Sequence, residues 1–183
     1  MSEELLVQHC SPTLAGMKTG NMFNCKFADG IEMRNCIRCW NRMLEKKGLR
    51  VLPLRFREDR ALVYVYRPAR LSEDLQNDTA AEILDGHGYS METPERCVVE
   101  LIRRLENSEE FPHEIGLFLG YPPEDVRGFI ENKAANCKCV GCWKVYGDAD
   151  AAQKTFNKYK KCTDVYCAMF ANGRSIERLT VAV

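Results

Sequence analysis

Two apolar runs around a short polar turn constrain the fold of this chain more than any other part of the sequence. The runs cover residues 49–56 and 61–66 and are rich in Val, Leu, Phe and Tyr, and the turn at 57–60 is Arg-Glu-Asp-Arg. Residues of these types favour extended backbone, so the pattern predicts an antiparallel hairpin. Pro53 cannot donate a hydrogen bond to a neighbouring strand, and it therefore predicts an edge strand or a bulge in the first arm.

Periodic apolar residues predict helices on both sides of the hairpin. Met33, Ile37, Trp40 and Leu44 recur at steps of three and four, which is the spacing of one helix face. They predict a helix over 30–47, and similar signals predict helices at 68–76, 79–85, 93–107 and 149–171. Further strands are predicted at 5–9 and 138–146, and the last residues, 179–183, are interpreted as a closing strand or a loose tail.

These elements predict an α+β fold in a single domain. A chain of 183 residues is long enough to fold without a metal or disulfides. The connections between the hairpin and the strand at 138–146 are long and helical, which is compatible with a mixed sheet. We expect a small mixed or antiparallel sheet with helices packed mainly on one face, and a helical insertion at about 68–132.

Charge and hydropathy exclude several classes of function. The 26 basic and 26 acidic residues balance, so nucleic acid is not an expected partner. No apolar run approaches the roughly 20 residues that a membrane-spanning helix needs. The first residues, Met-Ser-Glu-Glu, carry acid where a signal peptide requires base. We therefore expect a cytoplasmic protein, in which the ten cysteines serve as thiols, metal ligands or catalytic groups.

Three of the cysteines, Cys137, Cys139 and Cys142, fall within six residues. On a regular strand Cys137 and Cys139 would share one face, with Cys142 on the other. Gly141 would permit the turn that Cys139 and Cys142 need to bind one metal ion. Thiolate and imidazole are the ligands that zinc and iron prefer. The preferred hypothesis is therefore a metal site or a thiol-redox site at Cys137, Cys139 and Cys142, completed by His9, with the metal left open between zinc and iron.

A second hypothesis is a thiol enzyme with Cys10 as its nucleophile. A serine and a proline follow Cys10 and form a helix-start signal, and the exposed amides of a helix N-terminus favour a thiolate. His113 would act as the general base, with Glu114 or Asp148 orienting it.

The third hypothesis is a non-catalytic binding or scaffold protein. Free cysteine is among the most buried residue types, so the thiols would then be small core residues. Residues 114–130 also follow the spacing of a DNA-binding helix pair. The second helix begins with Pro-Glu-Asp, however, where cations should meet phosphates, so the sequence favours a simple two-helix corner.

Four segments resemble the domain-of-unknown-function family 3793 of anaerobic Gram-positive bacteria. They are His-Cys-Ser-Pro-Thr-Leu-Ala-Gly at 9–16, Phe-Pro-His-Glu-Ile-Gly-Leu-Phe-Leu-Gly-Tyr-Pro at 111–122, the thiol segment at 137–147 and Lys-Tyr-Lys-Lys-Cys at 158–162. The family has no assigned activity. Its members often lie near flavodoxin or iron-uptake genes, so the resemblance implies redox or metal handling, with a redox partner such as flavodoxin.

Overall fold

The computed structural model describes residues 2–108 and 110–182 and confirms the α+β class. The described chain forms two compact units, which we call unit 1, residues 1–69 and 161–183, and unit 2, residues 70–160. The interpretation of 68–132 as an insertion stays a prediction, and the unit that holds most of these residues extends to Lys160. Within the described residues, no helix combines the length and the apolar character needed to cross a membrane.

Unit 1 contains a three-stranded antiparallel sheet. Its elements are α1 (Glu3–Leu14), β1 (Gly20–Lys26), α2 (Gly30–Leu44) with a 3-10 turn (Glu45–Lys47), β2 (Arg50–Arg57) and β3 (Arg60–Tyr66). The strand order is β1-β3-β2, so the predicted hairpin is confirmed and β3 is its central strand. The β2–β3 register shifts between Pro53 and Arg55, and β2 is an edge strand, as Pro53 predicts.

Helices α1 and α2 cover one face of this sheet. Residues spaced along one side of each helix join the inward-facing strand residues in a single buried cluster. Its members include Leu6, Val7, Cys10 and Leu14 from α1, Met33, Ile37, Trp40 and Leu44 from α2, and Val51, Ala61, Val63 and Val65 from the strands. This packing confirms the helix face predicted for 30–47.

The strand predicted at 5–9 is wrong, because these residues belong to α1. The buried positions of this segment have helical spacing: Leu6, Val7, Cys10 and Leu14. The three consecutive apolar residues at 5–7 resemble a short strand, which is why the sequence pattern was misread. Cys10 therefore lies inside a helix rather than before one. The following serine does not cap a helix start: its hydroxyl donates to the carbonyl oxygen of Val7 at 2.5 Å, a local bond that fits a helix interior.

One buried cation ties three segments of unit 1 together. The Arg67 side chain is 1 % exposed, and its guanidinium donates to the carbonyl oxygens of Thr13, Leu14, Lys47 and Val181 at 2.8–3.1 Å. Two of these carbonyls lie at the end of α1 and one at the end of the 3-10 turn. Such terminal carbonyls have no partner within their own helix, so Arg67 adds donors to the glycine caps that Gly16 and Gly48 form with positive φ.

Unit 2 is mostly helical. Its elements are α4 (Asp78–Gly86), α5 (Pro94–Asn107), α6 (Ile115–Phe118), α7 (Pro123–Glu131) and the two-residue strands β4 (Cys139–Val140) and β5 (Lys144–Val145). Two helices, α3 (Pro68–Leu75) and α8 (Ala149–Ala171), contribute residues to both units. As predicted, Thr93 caps α5, where its hydroxyl accepts a hydrogen bond from the amide of Arg96 at 3.3 Å.

The strand predicted at 138–146 also needs correction. The single strand at 138–146 is instead the tight hairpin β4–β5, because the chain reverses at residues 141–143. For the last residues, 179–183, the structure favours the tail over the closing strand. Leu179 ends a short helix, α9 (Ile176–Leu179), residues 180–182 belong to no strand, and Val183 lies outside the described residues.

Candidate functional site

A mostly apolar cavity of about 310 Å³ lies in unit 2, between the α6–α7 corner and the β4–β5 hairpin. Its walls come from two stretches of the chain, residues 111–129 and 140–144, which are separated in sequence by the end of α7 and the loop after it. The lining residues are Phe111, Pro112, His113, Ile115, Gly116, Tyr121, Asp125, Val126, Phe129, Val140, Gly141, Trp143 and Lys144. We call this cavity the hairpin pocket.

Two glycines allow the hairpin to pack closely enough to form the pocket. A Cβ atom added to Gly141 would stand 2.2 Å from the Phe156 ring of α8. A Cβ atom added to Gly128 of α7 would stand 2.5 Å from Tyr146. Atoms do not approach this closely in folded proteins, so both positions require glycine as long as their neighbours stay in place.

Asp125 fixes the hairpin by three hydrogen bonds. Its side chain is buried, and its Oδ2 accepts from the Trp143 indole nitrogen at 2.7 Å. Its Oδ1 accepts from the backbone amides of Tyr146 and Gly147, each at 2.7 Å. A buried carboxylate is tolerated only when such donors replace water, so Asp125 is a structural anchor of the pocket wall.

Stacked rings form the apolar wall behind the hairpin. Trp143 stacks on Tyr121 with ring centroids 4.9 Å apart and meets Phe156 edge to face at 4.5 Å. Both separations lie in the favourable range for aromatic pairs. Because Asp125 also accepts from the indole nitrogen, the Trp143 ring is held in the wall by contacts within the protein.

Two basic side chains stand at the edge of the pocket, around Phe129. The His113 ring meets Phe129 edge to face at 5.1 Å, and the Lys144 Nζ lies 5.8 Å from the centre of the same ring. The Lys144 Nζ also donates to the carbonyl oxygen of Ala134 at 2.6 Å, which holds the ammonium in place. We call His113 and Lys144 the basic rim.

The three clustered cysteines lie on or beside the hairpin. Cys142 is exposed at the turn, whereas Cys137 and Cys139 are half-buried, and Cys139 packs against the cluster that contains Trp143. The Tyr121 hydroxyl donates to the carbonyl oxygen of Cys142 at 3.1 Å. Burial, reinforced by the nearby Cys142, raises the pKa of Tyr121 to about 12, so this phenol stays protonated at neutral pH.

The predicted metal ligands are distributed over both units. Cys137, Cys139 and Cys142 belong to unit 2, and His9 belongs to α1 of unit 1, where its ring stacks on Phe23 at 5.3 Å. Within the described ranges, no three His, Cys, Asp or Glu side chains are grouped so that they could hold a metal ion. The four-ligand site therefore stays a prediction.

The predicted catalytic pair is also divided between the units. Cys10 is 0 % exposed in the core of unit 1, and burial raises the pKa of its thiol above the ordinary range, an effect that Lys18 only partly opposes. His113 is exposed in unit 2. The pairing of Cys10 with His113 stays a prediction, and the burial of Cys10 supports a packing role for its thiol.

A second polar cluster, absent from the sequence-based hypotheses, lies near the N-terminal end of α6. Glu114 is buried, and its Oε1 accepts from the Tyr89 hydroxyl at 3.0 Å and lies 3.6 Å from Arg104 Nη1. Its Oε2 lies 3.9 Å from His87 Nε2. Burial and then Glu114 raise the pKa of Tyr89 above its ordinary range. Glu114 therefore contacts Tyr89, Arg104 and His87 and holds α6 against the residues that follow α4.

Sequence reasoning found parts of the hairpin pocket but not the pocket itself. It singled out His113, Gly141 and the thiol segment, whereas it missed the roles of Phe129 and Val140. Glycines at 116, 128 and 141 were a signal of close packing, but the sequence does not show which neighbour each one meets.

Fold and pocket together define a class: an α+β protein with a small three-stranded sheet in one unit and an aromatic-lined pocket in the other. The family model described as "Protein of unknown function (DUF3793)" matches residues 6–180, and the chain belongs to that family. The resemblance noted in the sequence is thereby confirmed. Among curated proteins and among solved structures, nothing matches the chain.

Proposed function

We propose that the protein binds a small, largely apolar ligand in the hairpin pocket. The observation that carries this proposal is a cavity of about 310 Å³ with aromatic and aliphatic walls and few polar groups. Pockets for small molecules have this composition and span roughly 300–1,000 Å³. The volume lies at the lower end of that range, which suits a compact ligand of about 20 non-hydrogen atoms.

Ligand size sets the affinity to expect. A probe of about 20 non-hydrogen atoms, at about 0.3 kcal/mol per atom, gains about 6 kcal/mol on binding. This corresponds to a Kd on the order of 30 µM. The fluorescent probe anilinonaphthalene sulfonate has about this size, so micromolar titrations are suitable for the test.

The test compares two valines of nearly equal exposure. Val140 lines the pocket and is 68 % exposed, whereas Val99, on α5, is 65 % exposed and is not part of the lining. A carboxylate at the apolar pocket wall would have to be desolvated by a bound ligand. We expect Val140→Glu to weaken probe binding at least about tenfold, and Val99→Glu to leave it within about twofold. Equal affinity in the wild type and both variants would refute the proposal.

A second candidate function, thiol redox or metal binding, is supported by the exposed turn of the hairpin. The chain reverses at Gly141, as a site shared by Cys139 and Cys142 requires, and Cys142 is exposed to solvent. We propose zinc or iron as the metal in this case. A redox partner such as flavodoxin belongs to the same hypothesis.

Elemental analysis of anaerobically purified protein tests the metal form of this candidate. Cys142→Ser should lose near-stoichiometric zinc or iron, whereas Cys39→Ser, which alters an exposed cysteine of α2, should retain it. Wild-type protein without metal after purification in zinc- and iron-supplemented medium would exclude the metal form. Thiol exchange is followed separately, by the rate of mixed-disulfide formation at Cys142.

A further inference from the structure

We infer that the ligand of the hairpin pocket carries an anionic group, and that Lys144 and His113 recognise it at the basic rim. The ligand class is thus a small aromatic or alicyclic acid, such as a carboxylate, sulfonate or phosphate ester with an apolar body. This inference rests on the proposed binding function and adds the charge of the ligand to it.

The first argument is the balance of charge around the pocket. Asp125 and Lys144 are the charged residues of its described lining, and His113 adds a second basic group. The Asp125 carboxylate keeps its charge, but both of its oxygens are occupied by donors of the hairpin. The polar side chains of the lining that can still donate to a ligand are those of Lys144 and His113.

The second argument is the position of the Lys144 ammonium. An ammonium group has three donors, and the carbonyl oxygen of Ala134 accepts from one of them. The ammonium is held near the Phe129 ring, and the His113 ring contacts the edge of the same ring. An apolar body stacked in the cavity would thus place an acidic substituent beside the Lys144 ammonium, with the exposed His113 ring as a second donor.

The neighbouring carboxylates do not offset the positive charge of the basic rim. Glu114, which follows His113 in the sequence, is buried and accepts from the Tyr89 hydroxyl while facing Arg104. Glu110, near His113 in the adjoining groove, is exposed, so solvent screens its charge.

Two probes that differ in one charged group test the inference. Anilinonaphthalene sulfonate and phenylnaphthylamine share the same rings, and the second lacks the sulfonate. Lys144→Met removes the ammonium but retains an unbranched side chain. Lys138→Met is the matched control, because the Lys138 Nζ also donates to a backbone carbonyl oxygen, that of Gly147 at 2.6 Å, and Lys138 does not line the pocket.

We expect Lys144→Met to weaken binding of the sulfonate about tenfold, the loss typical of one charge-assisted hydrogen bond. Binding of phenylnaphthylamine should stay within about twofold, and Lys138→Met should affect neither probe. His113→Gln should weaken the sulfonate by a smaller factor, because His113 is the more exposed member of the rim.

The possible failures are distinguishable. If Lys144→Met weakens both probes equally, Lys144 only supports the wall and the inference is wrong. If it weakens neither, the ligand is not recognised by charge. The inference is then also wrong, and the proposal of an apolar binding site stands without it. If Val140→Glu weakens the binding of neither probe, the proposed function itself fails.

Discussion

At the scale of single residues, burial decides how the thiols behave. Ten cysteines in 183 residues suggest chemistry, yet Cys10 lies in the apolar core of unit 1 beside Leu6 and Leu14. Cys142, by contrast, is exposed at the hairpin turn. Sequence spacing treated the two cysteines as comparable candidates, because it does not report which side of a helix or turn faces solvent.

The burial of Cys10 predicts a decrease in stability at alkaline pH. Burial raises the pKa of the folded thiol, whereas the unfolded thiol ionises near pH 8.5. Above that pH the unfolded state binds fewer protons than the folded state, so the free energy of unfolding falls as pH rises. For Cys10 this loss reaches about 2 kcal/mol at pH 10.

Urea unfolding between pH 8 and pH 10 measures this effect. Cys10→Ala lowers stability at pH 8, because a buried sulfur is lost, but it removes the alkaline contribution of Cys10. The wild type and Cys10→Ala should therefore converge as pH rises. Parallel curves would contradict the assignment of a raised thiol pKa.

At the scale of elements, the sequence predicted the helices and strands that are marked by their own residues. The β2–β3 hairpin and α2 have regular periodicity and clear turn or cap residues, and both are confirmed. β1 was missed, because its asparagines and glycine are poor strand formers and its stability comes from pairing with β3 along its whole length. The hairpin pocket escaped prediction for the same reason: its walls meet only after α6 and α7 pack.

Packing of the β4–β5 hairpin on α8 depends on the absence of a side chain at Gly141. An added methyl group would collide with the Phe156 ring at 2.2 Å. We expect Gly141→Ala to lower the free energy of unfolding by about 1–3 kcal/mol, the usual cost of overpacking. Thermal or urea unfolding measures the loss.

Gly86→Ala is the control for this substitution. Gly86 is a helical glycine with nothing within 4 Å of an added Cβ, so alanine there should be neutral or slightly stabilising. The double variant Gly141→Ala with Phe156→Leu should lose less than the sum of the two single losses, because the smaller side chain makes room. Strict additivity would show that the collision is not the cause.

At the scale of the whole molecule, family membership extends over nearly all of the chain. The family model covers residues 6–180 and therefore includes both units. The α+β class and the small sheet followed from sequence patterns. The division into two units did not, because its boundaries fall inside α3 and α8, where no change of composition marks them.

Arg67 is the residue whose loss should affect unit 1 most broadly. Arg67→Met would remove the charged donor that four backbone carbonyl oxygens now share. A hydrogen bond to a charged group contributes about 1.5–3 kcal/mol, so we expect the loss of several such bonds to cost more than about 3 kcal/mol. Urea unfolding measures it, with Arg38→Met, which alters an exposed arginine of α2, as the control. A loss equal to that of Arg38→Met would contradict the capping role.

The shared use of Arg67 also couples segments that are far apart along the chain. Leu14 accepts from both Arg67 and the amide of Val181, so detachment of the segment around Val181 would also expose the last turn of α1. Fraying of the C-terminal segment is thereby linked to fraying of the last turn of α1. Amide protons near Thr13 and Val181 should therefore exchange with solvent at the same rate, through one common opening event. Two different rates would show that the two segments open independently.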